Sequence, residues 1–401
     1  MINQKGQTWN ESEVYLDPVT LKRVRKVTRT GLYNQTPTYH TGTGWTADGE
    51  FMIFASARNG GSALFRCHVP TGDITQITET FDGVGCLDEL NKSGGTCTGN
   101  GYGVTMLNSV APHNHWVAYV QGRSLRAVQM DTLEERVLIQ NYGDGFIAGM
   151  PSIDPTEKYV LQPVMSAHPE LNIGKPPTKS YIDHYSVIGP EVHLLQVPLA
   201  GGPVTEVYAE KGVGCAHCPH NPLDPNLVLL DRDLPPRLWA GSDGITNRIW
   251  SLNLTTRHLT ELPNQDPVKF QVHSVWTWDG SAVAYHGKSG LGGHYIGVVS
   301  KEGQTIREYK FTQAENYGHI SAMANRPAVI LDGNLTSDML LLLYYDREKP
   351  RIEMVAKHGT IWGGLPWQYS HPHPQSDPTG RYISFNAVHG GRSDVYIVEM
   401  E

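Results

Sequence analysis

The chain has no long apolar run. Its longest, Met339 to Tyr345, is far too short to cross a bilayer, which excludes a helical membrane span. The N-terminus, Met1 to Trp9, lacks the charged-then-apolar plan of a secretory leader, so a soluble cytoplasmic protein is the expectation. Positive charge is not in excess either. With 32 Lys+Arg against 40 Asp+Glu, the net charge is −8 and the pI near 6.1, which argues against a nucleic-acid or anionic-membrane surface. A local arginine can still dominate one pocket and face an anionic ligand. Cysteine is scarce: five residues, an odd number, fit a reducing compartment with free thiols. Cys215 and Cys218 have CxxC spacing, but Pro219 breaks the haem-attachment pattern and no second CxxC completes a zinc tetrad. They read as structural thiols, with redox or metal chemistry as the alternative. Cys86 and Cys97 lie in a Gly-rich insertion and could bridge only in an oxidising setting. G-x-S-x-G is missing, and no hydrolytic carboxylate pair is evident.

What the chain does have is turn formers, 42 Gly and 26 Pro beside 39% hydrophobic residues, the composition of a β protein. It also repeats. One unit reads Gly44 to Gly49, Phe51 to Phe54, Ala63 to Cys67, a turn at Thr71 to Asp73, then Ile74 to Ile77. Further units start from His113 to Tyr119, from Ser152 to Pro155, from Asn221 to Asn226, from Trp276 to Gly280, from Ser321 and from Ser376 to Gly380. Seven four-stranded units read as a seven-bladed β-propeller, an all-β fold in one domain over residues 1–401. Insertions are expected near 80–108, 163–190 and 231–246. The last unit has only three strands before the chain ends, and Arg23 to Thr28 can supply the fourth, closing the ring.

The repeat also places histidines. In each unit the Asp-Gly-like turn leads out of the innermost strand, so residues just before it line the axial channel. Counting back six from Asp279, Asn325 and Asp377 gives His273, His319 and His371, and His217 lies seven before Asp224. A lone histidine at such a place is usually a hydrogen-bonded core residue, but equivalent positions in four units point to a functional cluster. His371 and His373 are two apart on an extended, proline-flanked segment, so their imidazoles point to one side. Gln368 can add an amide oxygen. With His319 from the adjacent unit, these residues can meet around a divalent transition metal. His273, one unit further, would stand near the ion without binding it and could remove a proton near neutrality. Arg248 is the basic residue best placed to join them, either facing an anionic substrate or as a solvent arginine at a strand edge.

At these residues the chain resembles the oligogalacturonate lyases of polysaccharide lyase family 22. The likeness runs from Lys5 to the end and is strongest at Asp224 to Asn226, Arg248-Ile-Trp250, Val272-His-Ser-Val-Trp276 and Gln368-x-x-His371-Pro-His373-Pro374. The resemblance implies a seven-bladed propeller in which His319, Gln368, His371 and His373 hold a metal, typically manganese, with calcium, zinc and nickel as alternatives. It implies His273 as Brønsted base and Arg248 facing the substrate. The chain departs from the pattern where family members carry C-H-E-G, having Asp231-Arg-Asp233 and a longer loop instead. His273 is preceded by Val and followed by Ser-Val, where the family has Gly and Glu-Phe. His217, Arg237 and Tyr185 are candidates for substrate contact at the mouth.

The reading is a metal-dependent lyase that cleaves acidic, uronate-containing oligosaccharides by β-elimination. The alternatives are a lyase for another acidic plant or algal oligosaccharide and a non-catalytic ligand-binding propeller.

Overall fold

The computed structural model describes residues 4–31, 33–36, 38–39, 42–58, 61–82, 108–143, 146–166, 191–211, 213–215, 217–232, 248–262, 270–288, 293–311, 318–333, 338–365 and 370–400. Among these, regular structure is β throughout, with no α-helix. The predicted insertions fall mostly on residues 83–107, 167–190 and 233–247, outside the described ones, as do Cys86, Cys97, Tyr185, Arg237 and Gln368.

The strands follow one another as seven antiparallel meanders. The first unit is Tyr33–Gln35, Phe51–Arg58, Gly61–His68 and Asp73–Gln76. The second runs from Asn108–Val110 to Glu135–Ile139, and the third from Phe146–Ala148 and Ser152–Ile153 through Tyr159–Ser166 and Glu191–Pro198 to Thr205–Lys211. The fourth shows Leu227–Asp231, Ile249–Asn253 and Leu259–Glu261, with the segment at His220 touching it through an isolated bridge to Val228. The fifth runs from Phe270–Trp276 to Thr305–Phe311, and the sixth from Ile320–Ala322 to Arg351–Lys357. The seventh is Gln375–Ser376, Tyr382–His389 and Arg392–Glu399. Arg23–Lys26 pairs antiparallel with Arg392–Glu399, supplying the strand that the last unit lacks, as the sequence led one to expect. The first unit begins earlier than Gly44. Its inner position is shared by Tyr33–Gln35 and a bridge from Trp45 to Met52, which leaves Tyr39 between them.

The burial of each strand follows its place in the meander. Second and third strands are covered on both faces, so they are almost continuously apolar, as in Met339–Tyr344 and Ala328–Leu331. Outer strands such as Thr305–Phe311 and Arg351–Lys357 mix charged and apolar residues and are partly exposed. The core is not a single mass but a series of clusters between neighbouring units. One joins Ile53 and Leu64 to Val117 and Tyr119; another joins Ile296 and Val298 to Val329 and Leu343. Clusters likewise link the second unit to the third, the third to the fourth, the fourth to the fifth and the sixth to the seventh. A seventh packs Phe54 and Phe65 against Val395 and Ile397, first unit against last. Removing a large side chain from such a cluster, as in Phe385→Ala, costs about 3–5 kcal/mol through lost burial and the cavity left behind.

The Asp-Gly turns also dock units onto one another. Thr277 donates its hydroxyl to Asp279 at 2.7 Å, and Gly280 adopts φ +64° while its N–H reaches Thr277. Asn221 of the fourth unit donates to the Gly280 carbonyl at 2.7 Å, and a Cβ at 280 would lie 2.4 Å from the Asn221 side-chain oxygen. Glycine is required there by both conformation and space.

Candidate metal centre

His319 stands just before the inner strand of the sixth unit and is 1% exposed. Its N–H and its Nδ1 both face the carboxylate of Asp332, each at 2.9 Å, and Gly318 N–H donates to the same group. Burial pushes the Asp332 carboxyl up to about 6, opposed by the His371 imidazole and those backbone N–H groups. An ionised Asp332 holds the His319 proton on Nδ1 and leaves the lone pair on Nε2, which faces the Tyr39 hydroxyl. Ring nitrogens of His319, His371 and His373 lie within 4.8 Å of one another. Burial lowers the pKa of His371 and drives that of His373 well below the usual imidazole value, the neighbouring imidazoles adding to the effect. Both are neutral donors near pH 7. His371 Nδ1 is buried and has no hydrogen-bond partner among the described residues, as a nitrogen kept for an ion would be. Three neutral imidazoles with an orphaned buried nitrogen fit a divalent transition metal. Gln368, the fourth predicted ligand, lies outside the described residues.

His273 belongs to the inner strand of the fifth unit, at a bulge. Val272 pairs with His286 and Val275 with Ala284, so His273 and Ser274 together face one residue. His273 takes φ +50°, and His373 takes φ +44°. Such backbone costs on the order of 1–3 kcal/mol and is kept where a side chain must be re-aimed. Here it turns His273 into the cluster, its ring 4.2 Å from that of His319. His273 Nδ1 lies 2.8 Å from His286 Nε2. His286 is buried, its pKa pushed down to about 3, and it also bonds the Gly318 backbone. A neutral His286 anchored on that carbonyl accepts from His273 Nδ1–H, so His273 carries its lone pair on Nε2, the nitrogen that faces the cluster.

Arg248 is buried, 8% exposed, and is no strand-edge solvent arginine. Its Nη1 lies 3.1 Å from the carboxylate of the fully buried Asp231. His217 Nδ1 is 3.9 Å from the same carboxylate. His217 stacks on the ring of Tyr39, centroids 5.5 Å apart and planes at 20°. Histidines predicted from four units are thus brought together, with one revision. The repeat count selected His371 in the seventh unit, yet the imidazole that packs on Tyr39 is His373, at 5.2 Å. His371 lies outward, 5.0 Å from both His319 and Trp362.

Sequence reasoning missed Tyr39, Asp332 and His286, and saw Asp231 only as a departure from pattern. A signal existed for three of them. Asp332 N–H bonds the His319 carbonyl and Asp231 N–H the His217 carbonyl, so each acid stands opposite its histidine on the next strand. His286 faces His273 across the same interval of 13 residues that separates His319 from Asp332. Tyr39 gave no such signal, because it sits where the first unit departs from the repeat.

No protein-family model matches the chain. It is 22% identical over 372 residues to the oligogalacturonate lyase of Dickeya dadantii, covering 88% of this chain and 87% of that one. Two solved structures share its fold. An oligogalacturonate lyase in complex with manganese superposes with TM-score 0.77 at 20% identity, covering 99% of this chain and 98% of that one. The oligogalacturonate lyase of Vibrio parahaemolyticus superposes with TM-score 0.77 at 19% identity, covering 99% of each. The likeness to oligogalacturonate lyases therefore runs through sequence and fold alike.

Proposed function

We propose that this protein is a metal-dependent lyase that cleaves short uronate oligosaccharides, foremost oligogalacturonides, by β-elimination to 4,5-unsaturated products. The observation that carries the reading is the meeting of three imidazole donors, His319, His371 and His373, beside a fourth imidazole, His273, whose Nδ1 is held by His286 at 2.8 Å. Supporting it are relatives named as lyases of this class over most of the chain. The seven units close as a seven-bladed propeller in one domain, a reading supported by core clusters that run from each unit to the next and from the last to the first.

The C5 proton of a uronate lies α to a carboxylate and is weakly acidic while that carboxylate is charged. A divalent cation, manganese foremost, held by His319, His371, His373 and Gln368, would supply Lewis-acid neutralisation of that carboxylate. His273 Nε2 removes the C5 proton, and His286 steadies the imidazole by accepting its Nδ1–H. Arg248, oriented by Asp231, presents its planar guanidinium to the charge that develops on the substrate. Departure of the C4 oxygen leaves the unsaturated uronate. Cys215 and Cys218 are buried thiols with sulfurs 3.3 Å apart.

The test is ultraviolet absorbance of unsaturated product on mixing with oligogalacturonides and a panel of other uronate oligomers. Signal that is lost on chelation and restored by manganese is expected. No signal across the panel from metal-loaded protein would overturn the reading and favour a binding propeller.

A further inference from the structure

By ring position alone, His273 qualifies as a metal ligand. Its centroid lies 4.2 Å from that of His319, the same separation that His373 has on the other side. Yet a base must keep its lone pair for the substrate. One group bridges His273 and the proposed ligand His319: the Tyr39 hydroxyl, 3.1 Å from His273 Nε2 and 3.0 Å from His319 Nε2. The phenol has no freedom to drift. Its ring is 5% exposed and lies 5.2–6.0 Å from the rings of His217, His273, His319 and His373.

We propose that Tyr39 is a positioning residue that keeps His273 a base by denying it to the metal. This rests on the lyase reading for its consequence in turnover, but not for its metal chemistry. Asp332 holds the proton of His319 on Nδ1 and His286 takes that of His273, so both Nε2 atoms present lone pairs to one hydroxyl hydrogen. The hydroxyl can serve only one acceptor at a time. When His319 Nε2 gives its lone pair to an ion, the hydroxyl keeps His273 Nε2 as its acceptor. A base held by one hydrogen bond can exchange it for a substrate C–H. A base bound to the ion cannot, because its lone pair is already spent.

The experiment compares wild type, Tyr39→Phe and the Tyr39→Phe/His273→Ala double variant, each loaded with copper(II). Phenylalanine keeps the ring and its packing, and circular dichroism checks the fold. Nitrogen couplings in electron paramagnetic resonance spectra count the coordinated imidazoles, and competition with a chelator gives affinity. Tyr39→Phe is expected to gain one imidazole and to bind copper about tenfold or more tightly; the double variant returns to the wild-type count. With manganese and the substrate of the wild type, Tyr39→Phe should lose at least a hundredfold in kcat with KM little changed. Equal imidazole counts and affinities in wild type and Tyr39→Phe would overturn the proposal. So would weaker binding in Tyr39→Phe, which would make Tyr39 itself a ligand. A wild type inactive on every uronate oligomer would defeat the lyase reading while the copper spectra still decide the role of Tyr39.

Discussion

Asp231 ties Arg248 to the strand that carries His273. One carboxylate oxygen lies 3.1 Å from the guanidinium, and the other accepts the hydroxyl of Ser274, the residue after His273, at 2.5 Å. The carboxylate is fully buried, so the pair is neither a surface ion pair nor an idle one. It holds the arginine and braces the bulge at His273.

Substitution of Arg248 should therefore separate charge from shape. Arg248→Ala leaves a buried carboxylate without its cation and should cost about 3–5 kcal/mol in urea unfolding, besides abolishing turnover. Arg248→Lys keeps the charge and most of the stability but loses the planar fork, and turnover should fall at least about tenfold. Wild-type turnover in the lysine variant would show that Arg248 serves the fold alone.

His273 and His371 should fail differently. His371→Ala is expected to lose bound metal and turnover together, measured by elemental analysis after dialysis. His273→Ala should lose turnover and keep its metal. A His273→Ala protein depleted of metal would make that imidazole a ligand rather than the base.

Asp332 holds His319, one of the proposed ligands, through its N–H and Nδ1. Asp332→Asn keeps the size but not the charge that fixes Nδ1–H, and should weaken manganese binding about ten- to a hundredfold. Titration of the metal-free protein with manganese reads this directly. Unchanged affinity would mean that His319 needs no carboxylate to hold its tautomer.

Acid should destabilise the fold through buried histidines. Burial lowers His220 and His358 to about 4 and His286 to about 3, while the unfolded chain titrates near the ordinary 6.5. Below pH ~6.5 the unfolded state binds protons that the folded state refuses, so stability falls until these groups titrate in the fold near pH ~4. Three protons correspond to a slope of about 4 kcal/mol per pH unit at most. Urea unfolding between pH 7 and 5 should show the decline, and His220→Asn should make it shallower by about one proton. An identical slope in that variant would contradict the assignment.

Much of this was legible in the chain because it is local. Strand alternation and the Asp-Gly turns are settled within a few residues, so they marked the units. The expected extended course of His371 to His373 is broken by the φ of +44° at His373, so the direction of that imidazole did not follow from a period of two. The facing pairs His319–Asp332 and His273–His286 were also within reach, since a hairpin fixes their 13-residue interval. Other features could be decided only by the packing of distant segments. Tyr39 meets His273 and His319 from 234 and 280 residues away, at a place where the first unit breaks the repeat. The choice of His373 over His371 beside Tyr39 is likewise tertiary, since it depends on where the first unit places that phenol. Arg248 could be read as solvent or site until Asp231 was seen beneath it. Sequence by itself determined the repeating strands and which histidines stand at equivalent places in neighbouring units, because strand period and turn chemistry are local. Tertiary structure alone decided which hydrogen-bond partner each ring nitrogen meets, because Tyr39 is brought to His273 and His319 from a distant unit.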